Sequence, residues 1–356
     1  MNMANVKTKA IRVGVIGAGW WAGALHLPEL KADPRVTIAA VSRLGRAELD
    51  RIQSAFGAEA GYEDYQEMLA REALDAVVIA SPHTLHYQHA SAALERGCHV
   101  LVEKPMTTSA HEARRLVSLS EHHKSVLMVA YGFNFAPMVE RARRLLADGA
   151  IGPIRHVNLH MASSLEDLFS GQGLLAARDA MFQPAASTWA DPKNAGGYGW
   201  GQLTHALGVL FRIADLEPLD VFATTELSSS GVDISDAAAI RFTNGATGVL
   251  SGTALIPKHL PSQLDIRLFG SEGTFVLDMD KERLEVHRND QSSTIVPLPR
   301  GSGDYPRAAP IRAFIDVCCG VDLDNPAPGI VGQRSTEVLD ALYRSAASRQ
   351  VETCWS

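Results

Sequence analysis

Cysteine is scarce in this chain. Only Cys98, Cys318, Cys319 and Cys354 occur in 356 residues, and none stands in a C-x-x-C pair. That excludes a disulfide-stapled framework and the usual structural zinc sites. Reduced, buried thiols are expected instead, and with them a cytoplasmic location. Positive charge is not in excess either: 33 Lys and Arg stand against 40 Asp and Glu, a formal net charge of -7. Such a balance argues against a nucleic-acid or anionic-membrane partner. No apolar run approaches the ~20 residues a membrane helix needs, so no membrane partner is expected and the chain should be soluble. Internal repeats and low-complexity tracts are lacking too.

What is present is ordinary globular sequence, long enough that two domains are the default expectation. Between Ile11 and about Ala130, uninterrupted apolar segments alternate with helical ones. Ile11–Ile16, Val36–Val41, "LDAVVIASP", "CHVLVEKP" and "SVLMVAYGF" read as strands. Trp20–Ala32 (with a kink or restart at Pro28), Ala47–Phe56, "HYQHASAALERG" and Ser109–His123 read as helices. Apolar strands separated by helices predict a parallel, doubly wound α/β sheet covered on both faces. After Pro137 the period changes to the alternation of half-buried strands, from "IRHVNLHM" to "RLEVHR". Asn244-Gly245 gives a type I′ hairpin signal among them. Helices around Ile311–Cys319 and Gln333–Ala347 should pack back on the body.

The stretch "IRVGVIGAGWWAGALHLPEL" (Ile11–Leu30) admits two readings. One is a secretory leader, with a basic start, an apolar core and a small-residue site. The other is a strand followed by a G-x-G-x-x-A turn that opens a helix, a dinucleotide cradle. Cleavage would remove the first strand of a sheet the rest of the sequence still requires, so the cradle is preferred. In that reading Gly17 allows the tight turn and Gly19 lets backbone approach a pyrophosphate. Trp20 and Trp21 open the helix, and the small Ala22 lets it pack on the strand. The second strand ends in Ser42-Arg43 with no carboxylate for a ribose 2′-hydroxyl. An arginine that can face a 2′-phosphate favours NADP over NAD.

The expected organisation is therefore a Rossmann-type domain over residues 1–132. An α+β domain with a large, open, mostly antiparallel sheet follows over 133–356.

Two further motifs end parallel strands, where open α/β sheets bind ligands. "SPHTLH" supplies Ser81, Pro82, His83 and His86, and "EKP" supplies Glu103 and Lys104. His83, His86 and His89 lack the i, i+4 spacing of a zinc helix, so no metal is expected. In "NAGGYGWGQLTHALGVLFRI" (Asn194–Ile213), Leu203, Ala206, Leu207, Leu210 and Phe211 form a buried stripe. At ~100° per residue His205 lies opposite it, on a face shared with Gly201, Gly208 and Arg212. Glycine in a helix costs about 1 kcal/mol against alanine. Two of them beside a histidine suggest something pressed close, such as a nicotinamide and substrate, with His205 as a proton acceptor near neutral pH.

"GAGWWA", "SPHTLH", "EKP" and the glycine-rich helix ending in His205 together resemble the glucose–fructose oxidoreductase / inositol dehydrogenase / MocA family over nearly the whole chain. The resemblance implies bound NAD(P) and hydride transfer to or from a sugar, polyol or glycoside hydroxyl. It also implies Lys104 orienting the reacting oxygen, His205 as general base, and a homodimer or homotetramer formed through the C-terminal sheet. Members commonly carry an aspartate four residues before the histidine, where this chain has Gly201. Gln202, Tyr198 and Trp200 are candidate substrate contacts, and Trp189 lies close by. Redox-neutral glycoside cleavage and non-catalytic dinucleotide sensing are the alternatives left open.

Overall fold

The structure, a computed structural model, describes residues 10–172 and 180–355. Six strands, β1 (Ile11–Ile16), β2 (Val36–Ser42), β3 (Ala60–Tyr62), β4 (Ala76–Ile79), β5 (His99–Val102) and β6 (Leu127–Val129), form one sheet. It is wholly parallel, in the order β3-β2-β1-β4-β5-β6. The crossovers are α1 (Leu27–Ala32), α2 (Arg46–Phe56), α3 (Tyr65–Arg71), α4 (His86–Leu94) and α5 (Ala110–His123). The leader-like segment is thus the middle strand of this sheet and the helix after it. A π-helical turn at Ala22–His26 runs directly into α1, and Pro28 falls in the first turn of α1, just past the widened turn.

Helix α6 (Pro137–Ala147) leads into the second sheet through β7 (Ile154–Ala162). After α7 (Glu166–Phe169), α8 (Ala186–Trp189) and α9 (Thr204–Ile213) the chain runs through β8 (Pro218–Leu227), β9 (Asp233–Phe242), β10 (Thr247–Thr253), β11 (Gln263–Gly270), β12 (Gly273–Asp278), β13 (Arg283–Arg288) and β14 (Ser293–Ile295). Helices α10 (Ala309–Cys318) and α11 (Gly329–Ser348) and a short β15 (Glu352–Thr353) complete it. The nine strands lie in the order β14-β13-β12-β11-β7-β10-β9-β8-β15, antiparallel except where β7 meets β10. Burial alternates along them. In β9, Ala238, Ile240 and Phe242 are buried while Ala237, Ala239 and Arg241 are exposed, so one face is covered and the other bare. The bare face carries Phe222, Val249 and Phe269.

The Asn244-Gly245 hairpin differs from expectation. A type I′ turn needs positive φ at both central residues, and here only Gly245 has it, at 85°. Its N–H donates to the Phe242 carbonyl while Phe242 N–H donates to Ala246, a three-residue loop that turns one residue wider.

Helix α11 touches both sheets. Arg114 of α5 donates to Glu337 at 2.7 Å, and the Ala110 N–H to Asp340 at 2.7 Å. On its other side Ser345 accepts from the β8 amide of Ala223 at 2.9 Å. Among the described residues no helix is long and apolar enough to cross a membrane.

Candidate active site

The chain leaves β1 toward one edge of the first sheet and returns at β4 toward the other, so the carboxyl ends of these two neighbours open a crevice. Gly17 takes the left-handed conformation there, with φ 78°. A Cβ on it would run into the backbone nitrogen of Ser81. The N–H groups of Gly17 and Ala18 both donate to the Ser42 carbonyl, at 2.9 and 3.0 Å, tying the turn to β2. Gly19 is different: the nearest atom to a Cβ built on it is the Gly17 carbonyl at 3.8 Å. Its open side faces the cleft, and the helix N-terminus follows at once, an arrangement that fits a pyrophosphate. Gly17, Ala22 and Ser42 shape this cradle from behind, whereas Gly19, Trp20, Trp21 and Arg43 line it. Arg43 donates to the carbonyls of Ala18 at 3.2 Å and Leu44 at 3.3 Å, and its guanidinium carbon lies 4.1 Å from the centre of the Phe182 ring.

Ser81, Pro82, His83, His86, Glu103 and Lys104 line the same cleft of about 590 Å³. Their roles differ. His86 is fully buried with its ring nitrogens against the carbonyls of Pro105 at 2.7 Å and Ser81 at 2.8 Å, stapling the two strand-end loops together. Burial pushes its pKa down although both carbonyls favour the cation. His83 meets the Ala195 carbonyl at 3.0 Å, and burial together with His86 and Lys104 takes it down to about 3. Among the described residues no group of three or more His, Cys, Asp and Glu is placed to hold a metal ion.

Glu103 accepts from Trp21 Nε1 at 2.7 Å and pairs with His26 Nε2 at 2.9 Å. Burial would raise its pKa, but His26, Lys104 and Trp21 outweigh that and leave it lowered, hence ionised. Its carboxylate thus fastens the helix of the cradle to the strand end that bears Lys104. The half-buried Lys104 donates its ammonium to the Gly201 carbonyl at 2.8 Å, and the ammonium stands 5.1 Å from the Trp189 ring centre. Burial lowers its pKa to about 8 against the opposing pull of Glu103.

His205 comes to this cleft from the second sheet's side. Its ring is edge-on to Phe133 and Tyr305, with centroids 6.0 and 5.6 Å away. Among the described residues its buried Nδ1 has no hydrogen-bond partner. Burial, with Lys104 adding to it, holds the imidazole well below its usual pKa rather than at it. The helix face it occupies is not an outer face either, since every residue of α9 except Arg212 is buried. What presses on the two glycines is the protein itself. A Cβ on Gly208 would meet the Tyr131 ring at 2.9 Å, and one on Gly201 the Phe169 ring at 3.0 Å.

Gln202 lines the cleft, but Tyr198 and Trp200 do not and are corrected to packing residues. Tyr198 is fully buried with its hydroxyl on the Met161 carbonyl at 3.1 Å, and Trp200 stacks on Tyr343 at 5.1 Å and 11°. Phe133, Met161, Leu165, Leu168, Phe182, Ser262 and Tyr305 line the cleft unforeseen. Nothing in their local sequence distinguishes them from core or loop residues.

Two family profiles match the chain. The one described as oxidoreductase family, NAD-binding Rossmann fold, covers residues 11–131, and the GFO/IDH/MocA C-terminal domain covers 139–276. A 1-carboxy-3-chloro-3,4-dihydroxycyclohexa-1,5-diene dehydrogenase of Comamonas testosteroni is 28% identical over 59% of this chain, which spans about half, 49%, of that protein. A dTDP-3,4-didehydro-2,6-dideoxy-alpha-D-glucose 3-reductase of Streptomyces antibioticus is 30% identical over 81% of this chain and 84% of its own. Among solved structures, a levoglucosan dehydrogenase in complex with NADH superposes with a TM-score of 0.74 at 21% identity, covering 97% of this chain and 99% of its own, a likeness of fold.

Proposed function

We propose, from the premise that the chain belongs to the GFO/IDH/MocA oxidoreductase family, that it interconverts a secondary alcohol and its ketone on a sugar, polyol or glycoside with NAD(P). The observation that carries this reading is the meeting of Lys104 and His205. They come from opposite halves of the molecule, line one cleft, and are joined through the Lys104 bond to Gly201, four residues before His205. When bound, the nicotinamide supplies or accepts the hydride. The other tasks fall to the chain. Gly17 and Gly19 give the pyrophosphate its seat, and Lys104 donates to and orients the reacting oxygen. His205, kept neutral by its surroundings, accepts the hydroxyl proton at a ring nitrogen and returns it in the reverse direction. The same reading sets a second copy of the chain against the bare sheet face of Phe222, Val249 and Phe269, as a homodimer or homotetramer.

NADP is the preferred cofactor in this reading, because Arg43 lies at the cradle and no carboxylate stands at the end of β2. Arg43→Asp removes a charge-assisted bond to a 2′-phosphate and adds a carboxylate for a ribose hydroxyl. It should shift the NADP-to-NAD ratio of kcat/KM toward NAD by roughly 10- to 100-fold. The ratio is measured with each cofactor at saturating alcohol. A ratio that stays put removes Arg43 from cofactor choice.

A further inference from the structure

The cleft is chemically lopsided. Among the described residues its charged lining groups are Arg43, Glu103 and Lys104, all from the cradle side, and Glu103 is already held by Trp21 and His26. The rest of the lining is mainly apolar, with Met161, Leu165, Leu168, Phe182, Pro184 and Trp189, and it also carries the polar side chains of Gln183, Thr188, Ser262 and Tyr305. The position before His205 at which a carboxylate would reach substrate is Gly201, and the space beside it is filled. Phe169 and Trp189 ring carbons lie 3.0 and 3.5 Å from where its Cβ would be. Lys104, His205 and Gln202 form the polar end that the reading above assigns to the reacting oxygen.

A ring alcohol with a hydroxyl on every carbon brings more donors and acceptors than that end can satisfy. Beyond what Thr188, Ser262 and Tyr305 can take up, a surplus hydroxyl would lose its water against leucine, methionine or tryptophan and gain no partner. We infer that the substrate is a hydroxyl-poor ring, with the reacting alcohol and a neighbouring hydroxyl at the Lys104–His205–Gln202 end and a deoxygenated or unsaturated face against Leu165, Leu168 and Trp189. This rests on the redox reading given above and narrows its substrate class. In the step itself the hydroxyl proton passes to His205 as the O–H bond breaks, the C=O bond forms, and the carbinol C–H pair departs as a hydride that a bound nicotinamide would accept.

The test uses two carbocycles that differ in hydroxyl number. The purified full chain is given cyclohexane-1,2-diol (cis and trans) or myo-inositol with each cofactor, and NAD(P)H formation is followed. The reverse direction uses 2-hydroxycyclohexanone. The diol should exceed inositol in kcat/KM by about a hundredfold or more, the discrimination an apolar site exerts against added hydroxyls. In Leu165→Gln, a half-buried position, that ratio should fall about tenfold while melting temperature and NAD(P)H affinity hold. Inositol turned over as well as the diol, or an unchanged ratio in the variant, overturns the inference and leaves the redox reading standing. No turnover of any ring in either direction, with NAD(P)H bound by fluorescence, overturns both.

Discussion

His205→Ala should lower kcat for alcohol oxidation by about 10²- to 10⁴-fold, the contribution of a positioned general base. NAD(P)H affinity should stay within about twofold, because the ring lies on the substrate side of the cleft and not in the cradle. The large effect follows from the lack of a substitute. The other polar groups at that end are Lys104, an ammonium at neutral pH, Gln202, whose amide cannot take up a proton, and Tyr305, whose phenol is held in its protonated form. Truncation leaves Phe133 and Tyr305 facing a gap, so the loss must be compared with a thermal melt of the variant. Steady-state rates together with a fluorescence titration of NAD(P)H separate the two contributions. Turnover equal to that of the unaltered enzyme would remove His205 from the mechanism.

Lys104→Met is the second large effect. Methionine keeps the apolar stem and removes the donor, and kcat/KM should fall by roughly 10²- to 10³-fold. The pH dependence carries the sharper signature. The amine acts as the charged form, which exists below its pKa, and burial has brought that pKa to about 8. Activity in the alcohol direction should therefore decline as pH rises through about 8, tenfold per unit beyond it. On the acid side His205 remains an available base, since its pKa sits well below the ordinary histidine range and it protonates only in distinctly acid solution. The profile is thus flat through neutrality with one descending limb. In Lys104→Met that limb should vanish from the residual activity. A limb that persists belongs to another group.

Both sheets were legible in the sequence because each rests on a period that local chemistry enforces. Strands β1, β2 and β4 read as continuous apolar runs since both their faces are covered, and β9 reads as an alternation since one of its faces is not. Strand β3 was not legible: it has three half-buried residues at a sheet edge, one of them Gly61, too few to display a period. The cradle motif was visible because backbone geometry forces glycine at Gly17, and the lysine because it stands at the end of a readable apolar strand.

The surroundings of His205 were not. A helical wheel assumes 3.6 residues per turn, but Gly199–Leu203 is a π-helical turn that slips the phase immediately before His205. The surfaces that enclose α9 are also remote in sequence. Tyr131 presses on Gly208 and Tyr305 flanks the imidazole, contacts that only the folded chain creates. Tyr198 and Trp200 were misassigned for the related reason that an aromatic beside a glycine has no local mark of whether it faces a ligand or Tyr343.

Helix α11 has a mechanical consequence. Through Glu337 and Asp340 it grips α5, and through Ser345 it grips β8, so it spans the seam between the half that supplies the amine and the half that supplies the imidazole. Swinging those halves apart like a hinged jaw would rupture these bonds and uncover the helix's buried length. The spacing of Lys104 and His205 is thereby tied to the fold of this seam, and in the reading proposed above a substrate would meet a gauge already set.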